Sequence, residues 1–338
     1  MNSPAGVSIV VCCYNSAAVI VPTLKALSAQ SVPPGIGYEV ILVDNNCTDE
    51  TVRLAERTWK NPAVPMSIIK EPQPGLIHAR KTGVLKARYD ILLFIDDDNL
   101  MELDWIERLL DVYSRRPEVG GIGVCIEPLF EGEKPGWFDS FSAMYACTPP
   151  YENPDVSAFK QTLFGAGLSF RVQALRSVFD LPLPFFLVGR TQDALSRGDD
   201  SEICLRAGLM GWKLWYESTL KLKHYIRKHR ANWGYVLQAR RWGGQADIIL
   251  KIYRDLLEEK TPLTYPSLSM YISSLWEGFW QNRAKHKDLE KINKEGDPVA
   301  LRYHYLQGLT EGFLKTDKQR YDAARKKITG FFSERKTG

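Results

Sequence analysis

Asp96, Asp97 and Asp98 follow the uninterrupted apolar run Ile91-Leu92-Leu93-Phe94-Ile95, and three adjacent carboxylates repel one another unless a cation sits among them. A short run of large apolar side chains reads as a strand buried on both faces. Open α/β sheets bind ligands at the carboxyl ends of their strands, where the three acids would lie. The chemistry on offer is oxygen ligation of a hard divalent cation, Mg²⁺ or Mn²⁺. A solvated acidic turn is the plain alternative.

Other polar groups punctuate the chain in similar places. Asp44 ends a second β-prone run and enters Asn45-Asn46-Cys47-Thr48-Asp49. A carboxylate there can accept from a pyrimidine N–H or a ribose hydroxyl, or it can cap a helix. Cys13-Tyr14-Asn15 closes the first run on the same side, and Asn46 shares the loop with Asp44. Arg80 and Lys81 fall at a helix start after Pro74-Gly75, where two cations and backbone amides suit phosphate. Asp199-Asp200, after Gly198, are either helix-start acids or the source of a general base for an acceptor hydroxyl. Lys221 to Arg230 is the most basic stretch: a solvated face, a neutraliser of a diphosphate leaving group, or the donor of His224 to a metal. Trp137, Phe138, Phe141 and Tyr145 read either as a sugar-stacking surface or as a buried aromatic cluster.

These groups need a scaffold, and the pattern supplies one. Val7–Cys13, Tyr38–Val43, Met66–Ile69 and Ile91–Ile95 are short β-prone runs separated by helical spacing. Such alternation predicts an α/β fold, a mainly parallel sheet with helices on both faces. Asn15-Ser16 are capping residues ahead of a first helix carrying Ile20, Leu24 and Leu27, and Thr48-Asp49-Glu50 open a second. A third helix spans about 76–87, and a fourth, after Met101 and carrying Trp105, Ile106, Leu109, Leu110 and Tyr113, ends at Arg115-Arg116-Pro117. Val119–Cys125 then reads as a strand, residues 127–160 as an irregular binding surface rich in Pro, Gly and aromatics, and Gln161–Phe164 as a strand leading into Gly165-Ala166-Gly167. A helix over Val172–Phe179 follows.

Beyond about residue 225 the pattern turns helical. The expected organisation is a first domain over 1–225, which the family resemblance given below implies is catalytic, with a nucleotide-binding part to about 125 and an acceptor-binding part over 126–225, then a helical extension over 226–338. Leu268, Tyr271, Ile272, Leu275, Trp276 and Phe279 form an amphipathic stripe with Trp280 beside it and Arg283, Lys285 and Lys287 close by. It reads either as packing onto the catalytic domain or a second subunit, or as an interfacial membrane helix suited to a lipid-linked acceptor.

With 338 residues, 44% hydrophobic and 25% charged, the chain has an ordinary globular composition, which sets aside disordered and fibrous classes. A net charge of +4 is small for this length and gives nucleic-acid binding little support. No stretch reaches the length of a membrane span and no leader peptide is evident, so the expected location is the cytoplasm, or peripherally the inner face of the plasma membrane. The six cysteines show no zinc or redox spacing and read as reduced, buried small hydrophobes.

Taken in order, Val7 to Asn15, Val43 to Asp49, Gly75 to Gly83, Phe94 to Asp98, Gly165-Ala166-Gly167 and Gly198-Asp199-Asp200 make the chain resemble, over residues 6–225, the family-two inverting nucleotide-sugar glycosyltransferases of the GT-A fold. The resemblance implies a D-x-D motif with Asp98 on the metal and Asp96 nearer the ribose, Asp97 between them, and Asp44 on the nucleobase. It implies Asp200 as catalytic base with Asp199 as the rival, and UDP as the preferred nucleotide. Donor-side residues are then Tyr14, Asn15, Asp44, Asn46, Arg80, Lys81, Asp96 and Asp97. Trp137, Gly165, Ala166 and Gly167 belong to the sugar or acceptor, a saccharide or lipid-linked glycan. Lys81 stands where the family often has Asn, and Asp199 where it usually has Glu. Rival readings are a non-catalytic nucleotide-sugar-binding protein and a sugar nucleotidyltransferase. The latter usually needs a Gly-rich phosphate loop, which Cys12-Cys13-Tyr14-Asn15-Ser16 does not offer.

Overall fold

The computed structural model describes residues 5–147, 154–156, 162–189, 197–284 and 294–335, the side chains of 282–284 and 334–335 excepted. Its first half follows the alternation read above. Strands β1 (Gly6–Cys13), β2 (Gly37–Asp44), β3 (Met66–Lys70) and β4 (Ile91–Asp96) are parallel, connected by helices α1 (Ile20–Ser28), α2 (Thr51–Thr58) and α3 (Leu76–Lys86). Cys13 pairs with Asp44 and Cys12 with Asp96, so the acids at the strand ends share one edge.

Alternate residues of these strands enter two cores. Ile9, Val11, Val40, Leu42, Leu93 and Ile95 face one side, with Ile20, Leu24 and Leu27 of α1. Val10, Ile41, Val43, Leu92 and Phe94 face the other, with Ile77, Ala79 and Val84 of α3. Both faces are covered, which explains the near-continuous apolar runs.

After β4 come a short strand β5 (Asn99–Met101), helix α4 (Trp105–Arg115), strand β6 (Val119–Phe130), a single helical turn α5 (Phe138–Phe141), a 3₁₀ turn over Ser142–Tyr145, strand β7 (Ser169–Arg171), and helices α6 (Val172–Phe179) and α7 (Asp199–Leu209). Strand β8 (Lys213–Ile226) and helices α8 (Trp233–Leu257), α9 (Tyr265–Ala284), α10 (Pro298–Lys315) and α11 (Lys318–Arg335) complete the described chain. All eight strands form one mixed sheet ordered β3-β2-β1-β4-β7-β6-β8-β5. The pairing of β8 with β6 shifts twice, first between Val119 and Gly121 and again where Val124 faces Glu217 but the next residue, Cys125, faces Lys221. Beyond this bulge β8 also pairs antiparallel with β5, Asn99 opposite His224.

Several sequence expectations are corrected. Helix α1 starts at Ile20 with Val19 at the cap position; Asn15 does not cap it, because its Oδ1 accepts from the amides of Thr48 and Asp49. Residues 162–164 form no strand, and Gln161 lies outside the described residues; the strand lies past the Gly-Ala-Gly segment, where Ser169 and Phe170 pair with both β4 and β6. Glu127–Phe130 extends β6 rather than opening an irregular segment. The basic stretch begins inside β8, whose period of two turns Lys221 and Lys223 outward and Leu222, His224 and Ile226 inward.

A third core lies among α8 to α11. Leu268, Ile272 and Phe279 of the amphipathic stripe are buried there with Ile248, Ile252, Leu306, Leu309 and Ile328, and Leu275 and Trp276 pack against them. Packing therefore consumes most of the stripe, leaving Met270, Tyr271 and Trp280 exposed. Lys285 and Lys287 and the Arg283 side chain lie outside the described residues. Helices α8 and α10 approach backbone to backbone: a Cβ on Gly308 would collide with the Arg241 carbonyl, and one on Gly312 would come within 2.8 Å of Gln245 Cα. Among the described residues no helix is long and apolar enough to cross a membrane.

Candidate active site

A cleft of about 720 Å³ opens at the strand-end edge, between the ends of β1 and β4, the start of α7 and one face of α8. It gathers Tyr14, Asn46, Arg80, Asp96, Asp97, Asp98, Gly165, Ala166, Asp199, Asp200 and His224 from the sequence reading. Asp44, Asn15, Lys81, Trp137 and Gly167 are not on its wall.

Each acid is held differently. Asp97 accepts from the Ser16 hydroxyl, and its backbone carbonyl accepts from Thr23 Oγ1 at 2.8 Å, so it braces α1 against the loop. The Asp96 amide is held by Asn99 Oδ1 at 3.0 Å. Asp98 turns toward β8, with His224 Nε2 and Arg230 Nη1 each 3.4 Å from Oδ2. The amide of Tyr225 donates to the Asp98 carbonyl at 2.9 Å, which locks His224 beside the motif.

His224 is buried, and its Nδ1 lies 2.8 Å from the Tyr145 carbonyl. A carbonyl can only accept, so Nδ1 carries a proton and Nε2 faces Asp98. Burial disfavours the imidazolium, yet the charge and hydrogen bond of Asp98 and a bond to Cys147 outweigh it and lift the pKa to about 10. An oxygen of Asp98 and Nε2 of His224 therefore meet at one point, with the backbone bond at Nδ1 orienting the ring as in metal-bound histidines. A divalent ion could take this place only by displacing the Nε2 proton, because an imidazolium has no lone pair to offer, and it would keep its remaining positions for diphosphate oxygens and water. Among the described residues no cluster of three or more His, Cys, Asp or Glu ligands forms, so any such ion would rest on few protein atoms.

The acid pair at the start of α7 is divided by its surroundings. Asp199 is buried and ion-paired with Arg80, Oδ2 to Nη1 2.5 Å, the two side chains 7% and 3% exposed. Burial pushes the Asp199 carboxyl up to about 6, with Arg80 pulling it down and Asp200 pushing it up. Gly165 makes room for this pair, because a Cβ there would collide with Arg80 Nη2. Asp200 is half-buried on the cleft wall; its Oδ2 accepts from the Gly165 amide at 2.9 Å and its Oδ1 from the Ser201 amide at 2.7 Å. Thus the expected pair of phosphate-facing cations does not form. Arg80 is a buried counter-ion within the wall, and Lys81 is exposed on α3 away from the cleft.

Three other expectations shift. Asp44 stands behind the wall, its Oδ1 accepting from the Cys47 amide at 2.7 Å, while Asn45 and Asn46 reach the cleft. Trp137 packs edge-on to Trp233, in a cluster where Phe138, Phe141 and Tyr145 are buried, so the aromatics are core rather than a stacking surface. Gly167 has a left-handed φ of 68°, and a Cβ there would meet Val124 and Leu222, a packing role.

The sequence reading missed the α8 wall: Arg240, Gly243, Ala246, Asp247, Leu250 and Arg254. The available signal was Arg240, Asp247 and Arg254 at intervals of seven, which puts three charges on one face of a helix beside small residues. It also missed Arg197, which donates to the Met144 carbonyl and the Tyr235 hydroxyl, and Arg230 as an individual group. A buried network of Glu202, Arg206 and Tyr253 holds α7 to α8 and to the backbone of residues 183–187.

Comparison with known proteins bears on this arrangement. The model of glycosyl transferase family 2 matches residues 8–170. The glucosyl-dolichyl phosphate glucuronosyltransferase of Haloferax volcanii is 22% identical over 271 residues, covering 79% of this chain and 84% of that protein. Glycosyltransferase AglE of the same organism is 33% identical over 111 residues, 32% of this chain and only 35% of its own length. Among solved structures, a mannosyltransferase from Pyrobaculum calidifontis in complex with GDP-Man and Mn²⁺ superposes with a TM-score of 0.61 at 15% identity, over 94% of this chain and 89% of that one. These likenesses identify the fold as GT-A, a mixed, mainly parallel sheet with helices on both faces and further helices at the carboxyl end. The match over residues 8–170, just under half of the chain, and the order of strands and acids that underlies it support a family-2 glycosyltransferase.

Proposed function

We propose that the protein transfers a sugar from a nucleoside diphosphate sugar, UDP-linked by preference, to an acceptor hydroxyl with inversion at the anomeric carbon. The observation that carries this reading is the division of labour at the start of α7. Asp199 is tied up with Arg80, whereas Asp200 lies on the cleft wall across from the end of β4. Asp200 is then the general base: it takes the proton of the acceptor hydroxyl as that oxygen attacks the anomeric carbon and the bond to the diphosphate breaks on the opposite side. The amides of Gly165 and Ser201 fix its carboxylate in place.

On the donor side, Asn45, Asn46 and Tyr14 would line the nucleoside, with Asp96 accepting from the ribose. Asp98 and His224 would hold Mn²⁺ or Mg²⁺, which when bound supplies positive charge to the departing diphosphate. Arg230 stands beside them as a fixed cation for the same charge. The name of the Haloferax volcanii relative, a glucosyl-dolichyl phosphate glucuronosyltransferase, supports a lipid-linked glycan as acceptor and contact with a membrane surface.

The test is nucleotide release from a panel of UDP- and GDP-sugars with a lipid-linked glycan acceptor, with the product anomer read by NMR. Asp200→Asn is expected to lower turnover by about 10²–10⁴-fold with UDP affinity retained. Undiminished transfer by Asp200→Asn would remove the base assignment, and a product of retained configuration would remove the single displacement.

A further inference from the structure

The arginines of the cleft differ in what neutralises them. Arg80 is paired with Asp199, Arg230 faces Asp98, and Arg254 Nη1 bonds Asp247 at 2.8 Å. Arg197 donates to neutral oxygens, the Met144 carbonyl and the Tyr235 hydroxyl. For Arg240, no carboxylate lies within 4.0 Å and no hydrogen-bond acceptor is in place among the described residues. Its guanidinium sits over the ring of Tyr305, 4.2 Å from the centroid. A ring face attracts the cation but accepts none of its five N–H donors in the plane of the fork.

The surroundings keep Arg240 in place without satisfying it. The Tyr305 hydroxyl donates to Asp247 Oδ2 at 2.7 Å, and the other Asp247 oxygen holds Arg254. Arg302 adds a second cation 5.7 Å from the same ring. Burial and Arg302 together press the Arg240 pKa below its ordinary value, against Tyr305 and Asp247, as expected of a cation set in a wall without its own counter-ion. This wall is close to the proposed base. A Cβ on Gly198, the residue before Asp199-Asp200, would come within 3.0 Å of Ala246 Cβ and 3.4 Å of Leu250 Cδ1, on the same face of α8 as Arg240, Asp247 and Arg254.

We propose that this face of α8 is an anion subsite: Arg240, backed by Tyr305 and flanked by the Asp247–Arg254 pair, receives a carboxylate or phosphate group of a substrate that reaches the acid pair. The assignment rests on the reading of the cleft as a nucleotide-sugar transferase site and narrows its substrate class. A planar guanidinium with free N–H pairs takes either oxyanion through two parallel hydrogen bonds, which a neutral hydroxyl cannot match. The anion has two sources, a uronate on the transferred sugar or a phosphate on the acceptor.

Calorimetric titration of the full-length protein separates them. The donor arm compares UDP-glucuronate with UDP-glucose; the acceptor arm compares glucose 1-phosphate with methyl glucoside, in the presence and absence of UDP. Wild type should prefer the anionic member of one pair by about tenfold or more. In Arg240→Gln that preference should shrink to within about threefold, and Arg240→Lys should keep part of it because charge survives without the fork. No preference in either arm, or a preference undiminished in Arg240→Gln and Arg240→Lys, overturns the subsite. UDP binding is read in the same titrations: its absence, with an Arg240-dependent preference for glucose 1-phosphate intact, would sink the nucleotide reading and leave the subsite standing.

Discussion

Replacing Arg80 with methionine removes the counter-ion of Asp199 while keeping most of the side-chain volume. The pair is 2.5 Å long and almost fully buried, and breaking such a pair from one side costs about 3–5 kcal/mol because the remaining charge has lost its partner. The loss should depend on pH in a defined direction. In the folded protein Asp199 holds its proton more tightly than in the unfolded chain, since burial lifts its pKa to about 6. Its contribution to stability therefore falls as pH rises from the ordinary carboxylate range through that value. Without Arg80 the folded pKa is higher still, so in the variant the fall continues where the wild type has levelled off. The gap between the two proteins should widen above about pH 6 by about 1.4 kcal/mol per pH unit until the pKa of the variant is passed. Urea unfolding of both proteins between about pH 5 and 8 measures it. Adding Asp199→Asn to the variant should flatten the difference. A gap that stays constant over the range, or that persists unchanged with Asp199→Asn, would refute the counter-ion role of Arg80.

Other expectations follow from the same contacts. Saturation with UDP and Mn²⁺ at about 100 times Kd should stabilise the protein by about 2.7 kcal/mol, and Asp98→Ala should abolish the Mn²⁺-dependent share of the rise in melting temperature; a share left intact would remove Asp98 from the metal. Gly165→Ala forces a methyl group into Arg80 Nη2 and should cost about 1–3 kcal/mol in urea unfolding. Gly308→Ala drives a methyl group into the Arg241 carbonyl and should cost at least as much, whereas Gly330→Ala in α11, where nothing lies within 4 Å, should stabilise by about 0.4–1 kcal/mol. Equal effects at Gly308 and Gly330 would show that the close crossing of α8 and α10 does not limit packing.

The first half of the fold was readable because its strands are buried on both faces and its helices carry plain apolar stripes. Ile91 to Ile95 could be little else, and the acids beyond it had to emerge at a strand end. Residues 162–171 were misread because the apolar character of Leu163 and Phe164 does not reveal that Ser169, a buried polar residue, sits in the sheet; its hydroxyl is within 3.1 Å of the Tyr113 hydroxyl. In β8 the alternation of lysine with leucine and histidine was present in the sequence, but the density of charge drew attention from its period. The partition of Asp199 and Asp200 was beyond sequence reasoning. It depends on Arg80, 119 residues away, lying in a space that Gly165 leaves empty. Likewise Asp44 and Lys81 had the right chemistry, but a turn amide and an outward helix face claimed them.

The bulge in β8 gives the site an unequal tolerance of length changes. Residues before Glu217 take their alignment from the first part of β6, and residues from Lys221 onward take theirs from β5 and the far part of β6. Leu220 is buried in the core, whereas Ser218 and Thr219 are exposed between the two ladders. An extra residue accommodated there leaves His224 opposite Asn99, still facing Asp98. The same residue added between Lys221 and His224 would turn the imidazole to the outer surface and bring Lys223 or the inserted residue into its place. Natural or engineered variants of this chain should accordingly vary in length at 218–219 and keep 220–226 at constant length.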